Sequence, residues 1–243
     1  MIYVMSDIHG NKDAFDSILK KINLSENDEL YILGDIIDRN PYGIELIQRI
    51  MNMPNVHMIL GNHEYMMMDA LGFPYEPDGC TNDASIEELR AQWFMNGGDI
   101  TNDAWEKLSE SEQESIKEYL LNLPLGYDVN IDGRLFKLVH AFPVEIFDHL
   151  KEEYPNEFPE SRAYFSVWER DMISLLSAAE EFTTVFGHTP TCHLTGDEMP
   201  MKIYHNNGII GIDCGAAYRK AVNNKLCRLA CLRLDDMKEF YSN

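Results

Sequence analysis

Seven side chains able to bind a cation or move a proton follow short apolar runs: Asp7, His9, Asp35, Asn62, His63, His140 and His188. Asp7 and His9 lie two apart after the run 2–5. Residues spaced by two on a strand share a face, so one hard oxygen and one imidazole can converge on a cation. Asp35 follows the next run through Gly34, and its two oxygens can bridge two cations. Asn62 offers an amide oxygen at the start of a helix after the third run. His140 ends the run 135–139, and His188 follows the run 183–186 through Gly187. Two carboxylates, three imidazoles and one amide, without a thiolate, suit manganese, iron or zinc better than magnesium or copper. His63 adjoins Asn62 and lies beside such a centre without having to ligate.

The elements that must position these groups alternate. Residues 2–5, 29–33 and 56–60 read as strands; 13–22 and 42–51 read as helices, with another beginning near Asn62. That alternation predicts βαβ units, whose chemistry sits at the carboxyl ends of the strands. Residues 72–124 are charged and helical in pattern (86–94 and 103–121), broken by Asn96-Gly97-Gly98, and are expected to form an inserted helical cap. Strand-like runs return at 126–131, 135–139, 183–186, 202–205, 209–212 and 225–234. Asn206-Asn207-Gly208 reads as a hairpin turn. A two-layered β core flanked by helices is the expected assembly, an α/β (α+β) fold in a single domain over 1–243.

Composition narrows the function. The net charge of −21 repels nucleic-acid backbones, so no nucleic-acid partner is expected. No apolar run reaches the roughly 18 residues of a membrane helix, so no membrane partner is expected. Cys80, Cys192, Cys214, Cys227 and Cys231 are scattered without a paired motif, which predicts reduced thiols and a cytoplasmic protein.

The motifs Asp7-Ile8-His9-Gly10, Gly34-Asp35-Ile36-Ile37-Asp38-Arg39, Gly61-Asn62-His63-Glu64, His140-Ala141 and Gly187-His188-Thr189-Pro190 resemble those of the calcineurin-like metallophosphoesterases, in their phosphoprotein phosphatase branch. Asn96-Gly97-Gly98, Trp168-Glu169-Arg170 and 212–216 extend the likeness. The resemblance implies a four-layer α/β/β/α sandwich of two mixed sheets. It implies two divalent metal ions, manganese first and iron or zinc as alternatives. Asp7, His9 and Asp35 would hold one; Asp35, Asn62, His140 and His188 would hold the other. It makes His63 a general acid oriented by Asp38, with Arg39, Arg170 and Asn62 on the substrate phosphate. The implied reaction is hydrolysis of phosphomonoesters, on a phosphoprotein or a small phosphorylated substrate. Two alternatives share or retain the motifs: a symmetrical diadenosine tetraphosphate hydrolase, and a non-catalytic metal-binding interaction module.

Other residues carry structural expectations. Pairing with Asp38 is expected to favour the charged form of His63. Asn40, in the place of a family glycine and before Pro41, bears on the aim of Arg39, and Phe142 is expected to narrow access. His57, His149, His193 and His205 read as non-ligands, and Met66-Met67-Met68 as helix packing. Glu152-Glu153 and Glu180-Glu181 read as solvated faces, and Cys227 and Cys231 as one face of a strand.

Overall fold

Short runs rich in β-branched and aromatic residues form strands, and the amphipathic stretches between them form helices. The computed structural model describes residues 1–75, 84–159, 161–176, 181–196, 201–218 and 227–243. The chain begins β1 (Ile2–Met5), α1 (Lys12–Ile22), β2 (Glu29–Ile32), α2 (Gly43–Ile50), β3 (Val56–Met58) and α3 (Asn62–Ala70). Three helices follow: α4 (Ile86–Met95), α5 (Asp99–Trp105) and α6 (Glu110–Leu121). Then come β4 (Gly126–Ile131), β5 (Arg134–Val139), α7 (Val144–Glu153), α8 (Arg162–Trp168), α9 (Ile173–Leu176), β6 (Thr183–Phe186) and α10 (Thr191–Thr195). The last strands are β7 (Tyr204–Asn206), β8 (Ile209–Gly211), β9 (Ala230–Arg233) and β10 (Lys238–Tyr241).

The strands build two mixed sheets, β10-β9-β1-β2-β3 and β4-β5-β6-β8-β7. In the first, β1, β2 and β3 run parallel and β9 runs antiparallel to β1. In the second, β5, β6 and β8 run parallel, with antiparallel β4 and β7 at the edges. Period-two alternation divides the apolar residues of each strand between two layers. Val4, Leu33, Leu138, Val185 and Leu232 meet between the sheets. Tyr3, Met5 and Ile32 pack on the opposite face with Phe15, Ile18, Ile47 and Met67 of the helices. Val139, Phe186 and Ile209 pack with Phe142, Phe147 and Phe165 on the outer face of the second sheet. Each such fully buried side chain contributes about 1.5–3 kcal/mol. The result is the expected four-layer α/β/β/α sandwich.

Several details differ from the sequence reading. The helix expected over 103–121 breaks into α5 and α6, because Ser109 forms a capping box with Glu112 and starts a new helix. A further strand, β10, pairs with β9. Cys231 packs on the helical side of its sheet while Cys227 packs between the sheets, so the two do not share a face. Met66, Met67 and Met68 are helix packing, as expected. Cys192, Cys214, Cys227 and Cys231 are unbridged. Cys80, Glu180, Lys225 and part of the expected cap (residues 76–83) lie outside the described residues. Within the described part, α4–α6 pack on α2 and α3. No helix among the described residues is long and apolar enough to cross a membrane.

Candidate metal centre

Strand β1 ends at Met5, so Asp7 and His9 are carried by the loop beyond it. Both have positive φ, 55° and 47°, and so do Asp35 (55°), Asp38 (69°), Arg39 (64°) and His188 (60°). Such backbone costs an L-residue about 1–3 kcal/mol, and it gathers where a site over-determines it. Left-handed turns, not strand alternation, therefore bring Asp7 and His9 together. Main-chain bonds hold the turns in register: Asp7 N–H donates to the Gly34 carbonyl (3.2 Å), His9 N–H to Asp35 (2.9 Å), and Gly10 N–H to Ile36 (2.6 Å).

Asp35 stands at the centre. Its Oδ2 lies 3.6 Å from His9 Nε2, which is 3.8 Å from Asp7 Oδ1. Its Oδ1 lies 3.5 Å from His140 Nε2. Two clusters of potential ligands result, His9-Asp35-His63 and Asp35-His140-His188, all buried and sharing one carboxylate. Asn62 Oδ1 joins the second, 3.0 Å from His140 Nε2 and 2.8 Å from His188 Nδ1. The six predicted metal ligands and His63 thus meet in one place.

Proton placement tests whether a cation belongs here. His9 Nδ1 faces the Ile37 carbonyl at 3.0 Å and His140 Nδ1 faces the Leu33 carbonyl at 2.6 Å. A carbonyl only accepts, so each Nδ1 carries a proton, and in the neutral ring Nε2 is a bare lone pair. Those lone pairs point at Asp7, Asp35 and Asn62 oxygens, which are acceptors too. Where the carboxylates are ionised, acceptor faces acceptor in a buried pocket, an arrangement that a cation between them relieves. The Arg39 guanidinium supplies one, with Nη1 at 3.1 Å from His9 Nε2 and Nη2 at 3.0 Å from His63 Nε2. The donor set therefore fits divalent cations.

The electrostatics point the same way. Burial, then the neighbouring Asp35, pushes Asp7 up to about 6. Burial, then Glu64, holds Asp35 well above the usual carboxylate range. Burial, then Asp7, pushes Asp213 up to about 8. His9, His63 and His188 are held well below the usual imidazole value, each chiefly by burial. Without a cation, burial shifts each of these groups toward its neutral form.

His63 Nδ1 lies 2.6 Å from Asp38 Oδ2, the pairing expected. The charge differs from expectation. Burial and then the Arg39 guanidinium disfavour the imidazolium, and burial pushes Asp38 up to about 7. Arg170 Nε donates to His188 Nε2 at 2.8 Å, so Arg170 belongs to this centre. Asn40 is not left-handed; Asp38 and Arg39 take that role, and Asn40 Nδ2 donates to the His9 carbonyl at 2.9 Å. Phe142 does not narrow access: it is fully buried against Phe165, with ring centroids 5.3 Å apart, in the apolar cluster on the outer face of the second sheet. His57 and His205 pair with Glu29 and Glu239, apart from the cluster.

Sequence reasoning missed some of the supports. Gly61, not Asn62, is the N-cap of α3, which leaves the Asn62 amide to face the cluster. Glu64, fully buried, accepts N–H bonds from Asp35 (2.8 Å), Ile36 (2.9 Å), Ile37 (3.3 Å) and Gly61 (3.2 Å). A Cβ at Gly61 would collide with Asp35, so only glycine allows that approach. Asp7 Oδ2 accepts from Ser6 Oγ (2.5 Å) and His188 N–H (2.9 Å), which leaves Oδ1 toward His9. The acidic residue at the third position of the helix was the sequence signal for Glu64.

A family profile described as calcineurin-like phosphoesterase matches residues 1–214, and the chain belongs to that family. It is 29% identical over 157 residues to serine/threonine-protein phosphatase 2 of Salmonella typhimurium, covering 62% of this chain and 63% of that protein. The Escherichia coli protein of the same name is 28% identical over 194 residues, covering 77% of this chain and 78% of that one. A symmetrical bis(5'-nucleosyl)-tetraphosphatase of Acidovorax ebreus is 35% identical over 71 residues, 28% of this chain and 25% of that one. Among solved structures, a protein serine/threonine phosphatase of Saccharomyces cerevisiae superposes with a TM-score of 0.58 at 12% identity, covering 99% and 78% of the two chains. A metallophosphoesterase of Sphaerobacter thermophilus gives 0.53 at 17%, covering 99% and 87%. These structural likenesses speak for the fold.

Proposed function

We propose that this chain is a phosphomonoesterase acting on phosphoserine or phosphothreonine in proteins, with a pair of divalent cations, manganese by preference, in the cytoplasm. The observation that carries the reading is Asp35, whose two oxygens face two different imidazoles. Asp7, His9 and Asp35 would hold one ion, and Asp35, Asn62, His140 and His188 the other. The ions would supply an activated water and shield the phosphoryl oxygens. We take residues 1–243 as one catalytic domain and 72–124 as its helical cap.

The chain's own side chains do the rest. Arg39 on the His9 side and Arg170 on the His188 side offer guanidinium forks to the phosphoryl oxygens, with the Asn62 amide between them. His63 gives its Nε2 proton to the leaving oxygen as the P–O bond breaks, while Asp38 keeps the Nδ1 proton in place. In the free protein Arg39 caps Nε2 and helps keep His63 neutral. A phosphoryl dianion drawing Arg39 away removes that repulsion and favours the imidazolium.

A groove of about 490 Å³, lined by residues on either side of Arg170 in sequence, supports a peptide over a dinucleoside polyphosphate. Its lining includes Tyr164, Phe165 and Trp168 of α8 together with Glu157, Glu169 and Asp171. Those carboxylates oppose a polyphosphate chain and tolerate a neutral or basic peptide. The test is hydrolysis, with manganese, of a phosphothreonine peptide against diadenosine tetraphosphate. Faster release of phosphate from the peptide is expected. Preference for the dinucleotide overturns the substrate, and inactivity on both and on p-nitrophenyl phosphate overturns the enzyme.

A further inference from the structure

Trp93 lies on α4, three positions before Asn96, and is the largest fully buried side chain among the described residues. Its indole Nε1–H donates to Asp38 Oδ2 at 2.9 Å. That is the same oxygen that lies 2.6 Å from His63 Nδ1. Two further contacts deliver the Asp38–Arg39 turn to this point, and a third closes the segment that carries them. Asp38 N–H donates to Thr101 Oγ1 at 3.0 Å, Arg39 N–H to the Gly97 carbonyl at 3.0 Å, and Gly98 N–H to the Trp93 carbonyl at 3.1 Å. Gly98 lies so close to the indole that any Cβ there would collide with the ring. The segment 93–101 is therefore built around one indole and the carboxylate it holds.

We infer that Trp93 is a positioning residue for the acid step: its indole N–H fixes the Asp38 carboxylate so that His63 keeps its proton on Nδ1 and presents Nε2 to the leaving group. The reasoning is directional. An indole N–H only donates, so the Asp38 oxygen it meets must accept. With Asp38 ionised, that same oxygen also accepts the His63 Nδ1 proton, which fixes the imidazole's tautomer and plane. Asp38 has positive φ, and with the turn in that strained state the carboxylate depends on its partners to stay aimed. Trp93 touches no reacting atom.

The inference rests on the proposed phosphomonoesterase reading, and its test separates the two. Trp93→Phe keeps the ring in the core and removes only the donor. With an alkyl phosphate, whose leaving oxygen needs a proton, kcat should fall about tenfold to a hundredfold, the effect of one charge-assisted hydrogen bond. With p-nitrophenyl phosphate, whose leaving group needs none, the loss should be much smaller, and KM should hold for both. Adding Trp93→Phe to His63→Ala should cost nothing further, since both act on one step. Equal loss on both esters, or additive loss in the double variant, overturns the inference. A second readout needs no turnover. In the metal-free wild type the Trp93 indole N–H signal should be resistant to hydrogen exchange, and Asp38→Asn should shift it. No shift overturns the inference even if the wild type hydrolyses neither ester, an outcome that would count against the phosphomonoesterase reading alone.

Discussion

The Arg39 guanidinium stands 3.1 Å from His9 Nε2, on the lone pair that a metal ion would take. One positive group already satisfies the imidazole that a second must claim, so metal loading has to displace it. Arg39→Ala should then bind manganese on the order of tenfold more tightly in the metal-free protein, since a like charge is gone. The same variant should hydrolyse phosphate esters more slowly, having lost a phosphoryl clamp. Calorimetric titration with manganese checks the first part; weaker binding would show that Arg39 supports the ion.

Stability of the metal-free protein should fall as pH rises from about 6.5 to 8. The buried carboxylates Asp38 and Asp213, raised to about 7 and about 8, keep protons that the unfolded chain has released. The native state then binds more protons than the unfolded one, so stability declines with pH until those values are passed. His9, His63 and His188, lowered by burial, act in the opposite sense, but that effect fades over this range as the unfolded imidazoles lose their protons around 6.5. Thermal melts of chelator-treated protein should therefore show a lower midpoint at pH 8 than at pH 6.5. Manganese should flatten the difference, because a bound cation removes the reason to hold those protons. A stripped protein whose midpoint rises over that range would contradict the burial argument.

Glu64→Gln should cost about 2–3 kcal/mol. The carboxylate accepts N–H bonds on both oxygens, and an amide sets an N–H donor against two of them in a buried site. For a chain of this size the melting midpoint should drop by roughly 4–12 °C. A drop of a degree or less would mean that the Asp35 turn holds its shape without Glu64.

His63→Ala should lower the rate on an alkyl phosphate by roughly 10²–10⁴ and on an activated aryl phosphate by less. Steady-state rates on the two esters decide it, and equal losses would remove His63 from the acid role.

Much of the centre was legible because its groups sit at the ends of apolar runs, where packing offers no reason for polar residues. Asp7, His9, Asp35, Asn62, His140 and His188 could be read that way. What the spacing concealed is how they converge. The alternation argument for Asp7 and His9 reached the right meeting by the wrong route, since both lie past the strand in left-handed turns. Phe142 read as a gate because neighbours in sequence were taken as neighbours in space, whereas it turns into the helical side of the sheet. Trp93 carried no motif, and its bond to Asp38 spans 55 positions of sequence, beyond the reach of any local rule. The spacing weighs Asp38 against His63 and leaves out burial and Arg39, both of which disfavour the imidazolium in the metal-free protein.

The shared carboxylate of Asp35 is tested most directly by counting metal ions. Metal-stripped protein titrated with manganese and analysed for bound metal should hold two ions per chain, and Asp35→Asn should weaken both sites together, because each draws one oxygen from that side chain. A variant that keeps two tight ions, or a wild type that binds none, would contradict the bridging centre.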